Sequence, residues 1–510
     1  QRPTMFSKDK SIVILGGGTA GWIAANLLAE NWKDEGLDIT LVESPNIGII
    51  GVGEGSTPPL KGFLDAIGVE ESDWMERCDA TYKVGITFRN WSTKPGFDEY
   101  FHPFMCQPDE FSVPAFYHNS FLRRKGIDLD GHPNQFFITW ELAKQRLAPV
   151  APPNFPFEMN YGYHFNSGLL GEFLQEWAAK KGVKYKQATV NDVLLDSEGN
   201  IDCLKTEEGE TIKADFYVDS TGFRSQLLQK ALKVPFESCE DVLFNDSAVV
   251  FPTDPEENPT PQTISTALKH GWAWKIPLTS RFGNGYVYSS KHVDDDDAEM
   301  EFREHLGLQD SDLEARRLKF NVGRVSEHWA KNCLAVGLSQ GFIEPLEATA
   351  LDMVQETVVR FIEAANKGGL TDEFRDEFNA RISRRFDAVR DYIVCHYRIN
   401  TRTDTDYWRD NGTNEKISSS LREILTAWLQ GKNITDELER QNLDAYFPAI
   451  SWNCLLGGKG IYPTQAQLQP GNDVANQYDL EKIAKYLQGC ALNFKPHNEQ
   501  LRAVGASAAA

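Results

Sequence analysis

The sequence predicts an α/β protein, a Rossmann-type dinucleotide-binding domain with an added, mainly helical subdomain. Three observations carry this. A short apolar run meets a glycine-rich loop, which opens into a helical pattern and then a second strand ending in an acid. Two later strand-like runs each break into a glycine-bearing loop. Beyond Leu370, strand patterns give way to apolar residues at helical spacing. A chain of 510 residues is too long for one simple core. The expected division is 1–370, the dinucleotide-binding domain with insertions over roughly 90–160, and 371–510, the helical subdomain.

Residues 11–15 (SIVIL) form the first strand, followed at once by Gly16-Gly17-Gly18-Thr19-Ala20-Gly21. Residues 20–31 read as a helix, with Trp22, Ile23, Leu27 and Leu28 apolar. Residues 38–42 (DITLV) are the next strand, closed by Glu43, which lies 22 residues after Gly21. In such a unit the glycines let the backbone approach a pyrophosphate, the helix N-terminus faces its charge, and the acid bonds a ribose. An acid at that place suits a ribose with free hydroxyls, as in FAD or NAD. Residues 216–219 run into Ser220-Thr221-Gly222-Phe223-Arg224-Ser225, and 333–336 run into Gly337-Leu338-Ser339-Gln340-Gly341. Taken singly, each is an ordinary strand-to-loop turn.

Residues 149–156 (PVAPPNFP) read as a rigid connection. The acids at 294–297 read as a solvated loop. Helical spacing covers 371–398, 417–429 and 479–489, whereas 449–460 reads as loop.

The 52 basic residues against 74 acidic ones leave a formal charge of −22. That argues against nucleic acid and anionic membranes as partners. The eight cysteines lie at 78, 106, 203, 239, 333, 395, 454 and 490, none in Cys-x-x-Cys spacing. This argues against a zinc ribbon and fits a reducing compartment, and no metal site is expected. No stretch is long and apolar enough to span a bilayer, and the start carries no apolar signal core, so the expected location is the cytoplasm. Residues before Met5 and the small-residue end at 505–510 read as additions outside the fold.

Trp272 and Trp274 share the run Gly271-Trp272-Ala273-Trp274-Lys275-Ile276-Pro277. As a strand, the run turns both indoles to one face, where they can wall off a cavity. Alone, this is an aromatic pair in a core. Beside a nucleotide-binding signature, it resembles the flavin-dependent halogenases of the tryptophan halogenase family, in which a Trp-x-Trp-x-Ile-Pro run lies beside the flavin. The resemblance covers most of the chain to about residue 365 and, more loosely, the helical remainder.

The resemblance implies a flavin-monooxygenase-type FAD domain, with FAD contacts at Gly16, Gly18, Thr19, Ala20, Gly21, Glu43 and Gly337 and the indoles of Trp272 and Trp274 beside the cofactor. It implies that FADH2 is supplied by a separate NAD(P)H-dependent flavin reductase, and that oxygen and bromide or chloride then yield hypohalous acid. The family's catalytic lysine lies in a Tyr-Lys-Val run about thirty residues after a Gly-x-Gly-Glu segment, which here is Gly51-Val52-Gly53-Glu54 and makes the lysine Lys83. Without the resemblance, Lys83 reads as a lysine on the solvated face of one strand over 81–88. The family's catalytic glutamate lies in Pro-Leu-Glu-Ser-Thr-Gly. Here the run is Pro345-Leu346-Glu347-Ala348-Thr349-Ala350, which makes Glu347 the glutamate and puts halide at the amides of Thr349 and Ala350. On local grounds Glu347 is an acid at the start of a helix expected near Ala348. His102 and Phe104 resemble the family's substrate-side His-x-Phe pair, and Trp452 stands before Asn453. Members acting on free tryptophan hold its charges with a tyrosine pair and a glutamate ahead of Trp-Asn. Residues 442–451 (NLDAYFPAIS) hold one tyrosine and no glutamate. The implied activity is halogenation of an indole-like aromatic. A flavin-dependent aromatic hydroxylase and a non-catalytic FAD-binding redox sensor are the alternatives.

Overall fold

The computed structural model describes residues 10–45 and 52–506. Residues 1–9, Gly51 of the Gly-x-Gly-Glu segment and residues 507–510 lie outside the described residues, and with them the readings made of the two ends.

The chain forms two compact units interleaved in sequence: Gln1–Cys78, Phe165–Glu240 and Phe320–Asp387 make the first, and Asp79–His164, Asp241–Lys319 and Ala388–Ala510 the second. The expected single boundary at 370 is therefore not where the packing divides. The helices after residue 388 belong with strands from the middle of the chain.

The first unit carries a six-stranded sheet in the order Trp329–Ala330, Cys333–Ala335, Phe216–Asp219, Ser11–Leu15, Asp38–Glu43, Lys184–Gln187. All pairings are parallel except the edge hairpin of Trp329–Ala330 with Cys333–Ala335. The strand Ser11–Leu15 is central because Ile12, Val13, Ile14 and Leu15 are all apolar and buried, as a parallel strand covered on both faces requires. The helix Thr19–Asn31 buries Gly21 through Ala29 in an unbroken run, packed between the helices Ser167–Lys180 and Ala350–Gly368.

The second unit is built on a seven-stranded sheet in the order Arg316–Lys319, Ser247–Thr253, Phe282–Tyr288, Gly271–Pro277, Thr263–Leu268, Gly85–Arg89, Glu99–Pro103. The two-indole strand Gly271–Pro277 thus lies two places from the strand that follows Lys83 and three from the one bearing His102. The single strand expected over 81–88 is two, Thr81–Lys83 and Gly85–Arg89, broken at Val84. The break has a cause in hydrogen bonding. Val84 N–H donates to the Pro261 carbonyl at 2.7 Å and its carbonyl accepts from Phe104 N–H at 3.0 Å, so its backbone serves neighbours on both sides.

Two further readings change. The acids at 294–297 do not form a loop. Asp294 caps the helix Asp295–Leu306 through Asp297 N–H, and Asp295, Asp296 and Asp297 occupy its first turn, where the helix dipole favours negative charge. Residues 449–460, read as loop, contain the helix Ala449–Gly458. Trp452 through Gly458 are all buried, so the helix has no polar face to give the sequence an amphipathic period. Among the described residues no helix is long and apolar enough to cross a membrane.

Candidate functional site

In the first unit the glycine loop is shaped by close backbone approach. Gly16 has φ +111°, and a Cβ there would lie 2.0 Å from the Ser220 carbonyl oxygen. A Cβ on Gly21 would lie 2.4 Å from the Gly16 oxygen, and one on Gly337, at φ +67°, would lie 2.8 Å from the Ala20 methyl. The loops after all three central strands therefore meet at the start of the helix Thr19–Asn31. Gly18 differs: it is exposed, and a Cβ there would meet nothing within 4 Å. It also caps a helix that has no side-chain cap and no acid in its first turn. Open space before an uncapped helix start suits a pyrophosphate. The Glu43 carboxylate reaches over the loop, within 2.4 Å of where a Gly17 Cβ would be, and accepts a hydrogen bond from the Tyr185 hydroxyl at 2.6 Å. The residues present fit a dinucleotide cofactor such as FAD.

The loops are locked by Asp219, a residue the sequence reading passed over as the end of a strand. Its wholly buried carboxylate accepts from Thr221 N–H (3.0 Å), Thr221 Oγ1 (2.7 Å), Leu227 and Leu228 N–H (both 2.9 Å) and Ser339 Oγ (3.1 Å). One carboxylate thereby ties the 220–228 loop to the loop at Gly337. A buried acid at a strand end that meets a Ser-Thr-Gly run was the only available signal.

Glu347, Thr349 and Ala350 also belong to the first unit. Pro345–Glu347 is a 3₁₀ turn, and the helix begins at Ala350 instead of near Ala348. The difference comes from Ala348, whose φ of +55° places it in the left-handed region and breaks the helix from the turn before it. Ala350 itself takes ordinary helical geometry, so the alanine under strain is Ala348. Glu347 and Thr349 are buried while Ala350 is exposed, and Thr349 starts the helix without a side-chain cap. A helix start of this kind suits an anion.

In the second unit Lys83 is completely buried, not on a solvated face. Its Nζ lies 5.5 Å from the centre of the Phe104 ring, a cation–π distance. His102 is buried in the same neighbourhood, with Tyr100 and Tyr392 edge-on at 6.4 and 6.2 Å. Burial, then the charges of Lys83 and Lys459, push its pKa down to about 4, so the ring is neutral at pH 7. Its Nδ1 has no hydrogen-bond partner among the described residues. Trp452 is buried with Tyr392 edge-on at 5.0 Å, and Tyr392 stacks flat on Phe447 at 4.0 Å. Trp272 and Trp274 face the same way, ring centres 6.1 Å apart. Trp272 is buried, while Trp274 is half-buried and lies over Gly285, where a Cβ would be 2.0 Å from its ring.

Sequence reasoning missed the rest of this cluster. The Lys459 Nζ lies 4.1 Å from Trp91, 5.0 Å from Phe88 and 5.6 Å from Tyr100. His396 lies 4.8 Å from Phe88 and 5.7 Å from Tyr392, wholly buried, and desolvation, then Lys459 and His102, hold its pKa far below the usual imidazole range. Locally, Lys459 reads as a loop cation and His396 as a residue of an ordinary helix. The structure brings Lys83, His102 and Phe104 together in the second unit and the dinucleotide cradle together in the first.

Comparison with known proteins gives one consistent result. A family model described as tryptophan halogenase matches residues 11–474. The 7-chloro-L-tryptophan 6-halogenase KtzR of Kutzneria sp. (strain 744) is 36% identical over 484 residues, 89% of this chain and 91% of that protein. Among solved structures, Tar14, a tryptophan C-6 flavin-dependent halogenase (chlorinase) from taromycin biosynthesis, has a TM-score of 0.82 at 31% identity, covering 98% of this chain and 100% of that one. BrvH, a flavin-dependent halogenase from Brevundimonas sp. BAL3, has a TM-score of 0.81 at 30% identity, covering 97% and 99%.

Proposed function

From the premise that this chain belongs to the tryptophan halogenase family and is a flavin-dependent halogenase, we propose that it halogenates neutral, indole-like aromatics through Lys83. The observation that carries the reading is a fully buried lysine beside an aromatic ring, in a cluster whose imidazole is held neutral.

The glycine loop, Glu43 and the Gly337 loop would hold FAD, and reduced FAD when bound supplies the oxygen activation that turns halide into hypohalous acid. The amides of Thr349 and Ala350 would hold the halide at a helix start, where the dipole favours an anion. Lys83 would hydrogen-bond hypohalous acid, or form a haloamine as the oxygen–halogen bond breaks and water leaves, and pass electrophilic halogen to a ring carbon. Glu347 would polarise the halogenating species or accept the ring proton. Phe104 and Trp452 offer faces for an electron-rich ring. A separate NAD(P)H-dependent reductase would supply FADH2, and the cytoplasm would suit that partner.

The relatives' names point to tryptophan and chlorotryptophan as substrates of those proteins. This chain's own residues argue for a substrate without the amino acid's charges. In segment 442–451 Asp444 is exposed and Phe447 is stacked on Tyr392, leaving an aromatic surface where an ammonium and a carboxylate would need partners. Bromide is the preferred halide, because it is less strongly hydrated and more easily oxidised than chloride.

The experiment supplies reduced FAD, oxygen, bromide and indole and weighs the product. A mass gain of bromine is expected. A gain of oxygen would make the protein a hydroxylase, and no gain would favour an FAD-binding sensor. Equimolar tryptophan and indole then compete, as do bromide and chloride. Efficient, regioselective chlorination of free tryptophan would overturn the substrate reading and leave the halogenase reading intact.

A further inference from the structure

The strand Thr81–Lys83 pairs on one side with Gly162–Asn166, with Lys83 opposite Gly162. The backbone amides on either side of Lys83 reach other partners. Val84 N–H donates to the Pro261 carbonyl at 2.7 Å. Tyr82 N–H donates to an imidazole, His497 Nε2, at 3.1 Å. A strand amide that ends on a side chain 415 residues away in sequence needs a reason.

The bonding of His497 fixes its chemical state. Its Nδ1 lies 2.7 Å from the Pro259 carbonyl oxygen, which can only accept, so Nδ1 carries the proton. Nε2 must then be the bare nitrogen, since it accepts from an amide. A ring protonated at both nitrogens could not hold Tyr82. The ring is completely buried and its pKa is pushed down to about 4, by burial first and with Arg146 adding to it, which keeps the acceptor available at neutral pH. The segment carrying both anchors is itself held. Thr260 Oγ1 donates to the Ala143 carbonyl (3.0 Å), Asn498 N–H to Asn258 Oδ1 (2.9 Å), and His497 N–H to the Arg146 carbonyl (2.8 Å). Residues 258–261 and 497–498 thus form one clamp that grips the chain immediately before and immediately after Lys83, the grip before it through an imidazole and the one after it through the Pro261 carbonyl.

We infer that His497 is a positioning residue for Lys83: its neutral imidazole, braced on Pro259, sets the backbone from which the lysine extends. The inference rests on the reading of Lys83 as the halogen-delivering group. It explains why a residue at the far C-terminal end bonds next to that lysine. A side chain on a long flexible stem delivers to one ring carbon only if its root is fixed, and a displacement of about 1 Å at a reacting group can cost about a hundredfold.

The test compares His497→Phe, His497→Leu and His497→Gln with the wild type and Lys83→Ala, using indole and bromide with reduced FAD. Three quantities are read: brominated indole, hypobromous acid released to a diffusible trap, and the ratio of positional isomers. His497→Phe and His497→Leu lack the acceptor. They are expected to lose about tenfold or more of product, to release at least as much hypobromous acid as the wild type, and to shift the isomer ratio toward that from free hypobromous acid. His497→Gln offers an oxygen to Tyr82 N–H and is expected to restore the isomer ratio. Loss of product with an unchanged isomer ratio would overturn the inference, because less folded enzyme lowers the rate without changing selectivity. So would failure of both Phe and Leu variants to fold while the Gln variant does, since His497 would then be structural. If Lys83→Ala keeps normal product, the reading of Lys83 falls. If Lys83→Ala is inactive and His497→Phe is normal, only the role given to His497 falls.

Discussion

In the first unit most of the groups that would meet a ligand are backbone, the carboxylates of Glu43 and Glu347 being the exceptions. Gly18 leaves open space, a helix start presents its amides, and Gly16, Gly21 and Gly337 exist because a Cβ would collide with a neighbouring loop. In the second unit they are side chains: Lys83, His102 and Trp452, buried among aromatic rings, and Phe104, half-buried beside Lys83. A backbone site is a property of one short segment and its conformation. A side-chain site is a convergence of distant residues, and each can be exchanged without disturbing the local chain. Substitutions of the glycines and of the second unit's side chains should therefore separate cofactor binding from chemistry, with Glu347 the chemical group of the first unit, and the following tests measure how far.

The largest effect is expected at Lys83. Lys83→Ala should reduce product more than a hundredfold while FAD binding stays within about twofold of the wild type. Flavin fluorescence titration and product assay on the same preparation check both. Near-normal product would remove the chemical role from the second unit altogether.

Glu347→Gln keeps shape and removes charge in the first unit. Turnover should fall about a hundredfold without loss of folding, the size typical of losing an interaction made only in the transition state. The measurement is kcat beside a thermal melt. An unchanged rate would leave Glu347 as an acid near a helix start and nothing more.

A pair of alanines sharpens the backbone side of the contrast. Gly16→Ala puts a Cβ at 2.0 Å from the Ser220 oxygen and forces alanine to φ +111°. It should lower the melting temperature by several degrees and FAD affinity by about tenfold or more. Gly18→Ala has φ −73° and open space, so the protein without FAD should melt as the wild type does. FAD affinity should still fall several-fold, because the new methyl occupies the ligand's approach. Equal melting losses in both variants would mean that the loop is shaped by folding alone.

This contrast also accounts for what could be read in the sequence. The cradle was legible because its parts are contiguous: a strand, six residues of loop and an acid at a fixed distance on. The strands Ser11–Leu15 and Phe216–Asp219 fall where the apolar runs place them. In the side-chain cluster, Lys83, His102 and Phe104 could be named only through resemblance, since local pattern made Lys83 a surface lysine. Tyr392, His396, Lys459 and His497 carried no signal, because each lies in a stretch that reads as ordinary helix or loop. The helix Ala449–Gly458 was hidden by being buried all round, and the strand break at Val84 by hydrogen bonds from two distant segments. Asp219 failed differently. Its residue type is visible, but that one carboxylate would gather five donors depends on three-dimensional closure.

The last expected contrast lies in acid stability, and it too divides the units. His102, His164, His396 and His497 of the second unit are wholly or almost wholly buried, each with its pKa lowered by desolvation first: to about 4 for His102 and His497, and well below the usual value for the other two. The first unit has one such residue, His328, lowered to about 3. An imidazole with a depressed folded pKa stays neutral in the folded protein while the unfolded chain takes up a proton below about pH 6.5. Protons then favour the unfolded state, so stability is full above pH 6.5 and is lost as pH falls toward 4. Each such imidazole withdraws up to about 1.4 kcal/mol per pH unit in that window. Asp109 of the second unit works the other way. Burial raises its pKa to about 7, so acidification between pH 7 and its unfolded value near 4 relieves a buried charge. One carboxyl against four imidazoles leaves the net sign unchanged. Hydrogen exchange followed by peptide mass analysis, run from pH 7 to pH 4.5 with rates corrected for intrinsic pH dependence, should show protection falling first in 79–164, 241–319 and 388–506. If 10–45 and 165–240 open first, the buried imidazoles are not what governs acid stability, and the electrostatic half of the contrast between the units fails.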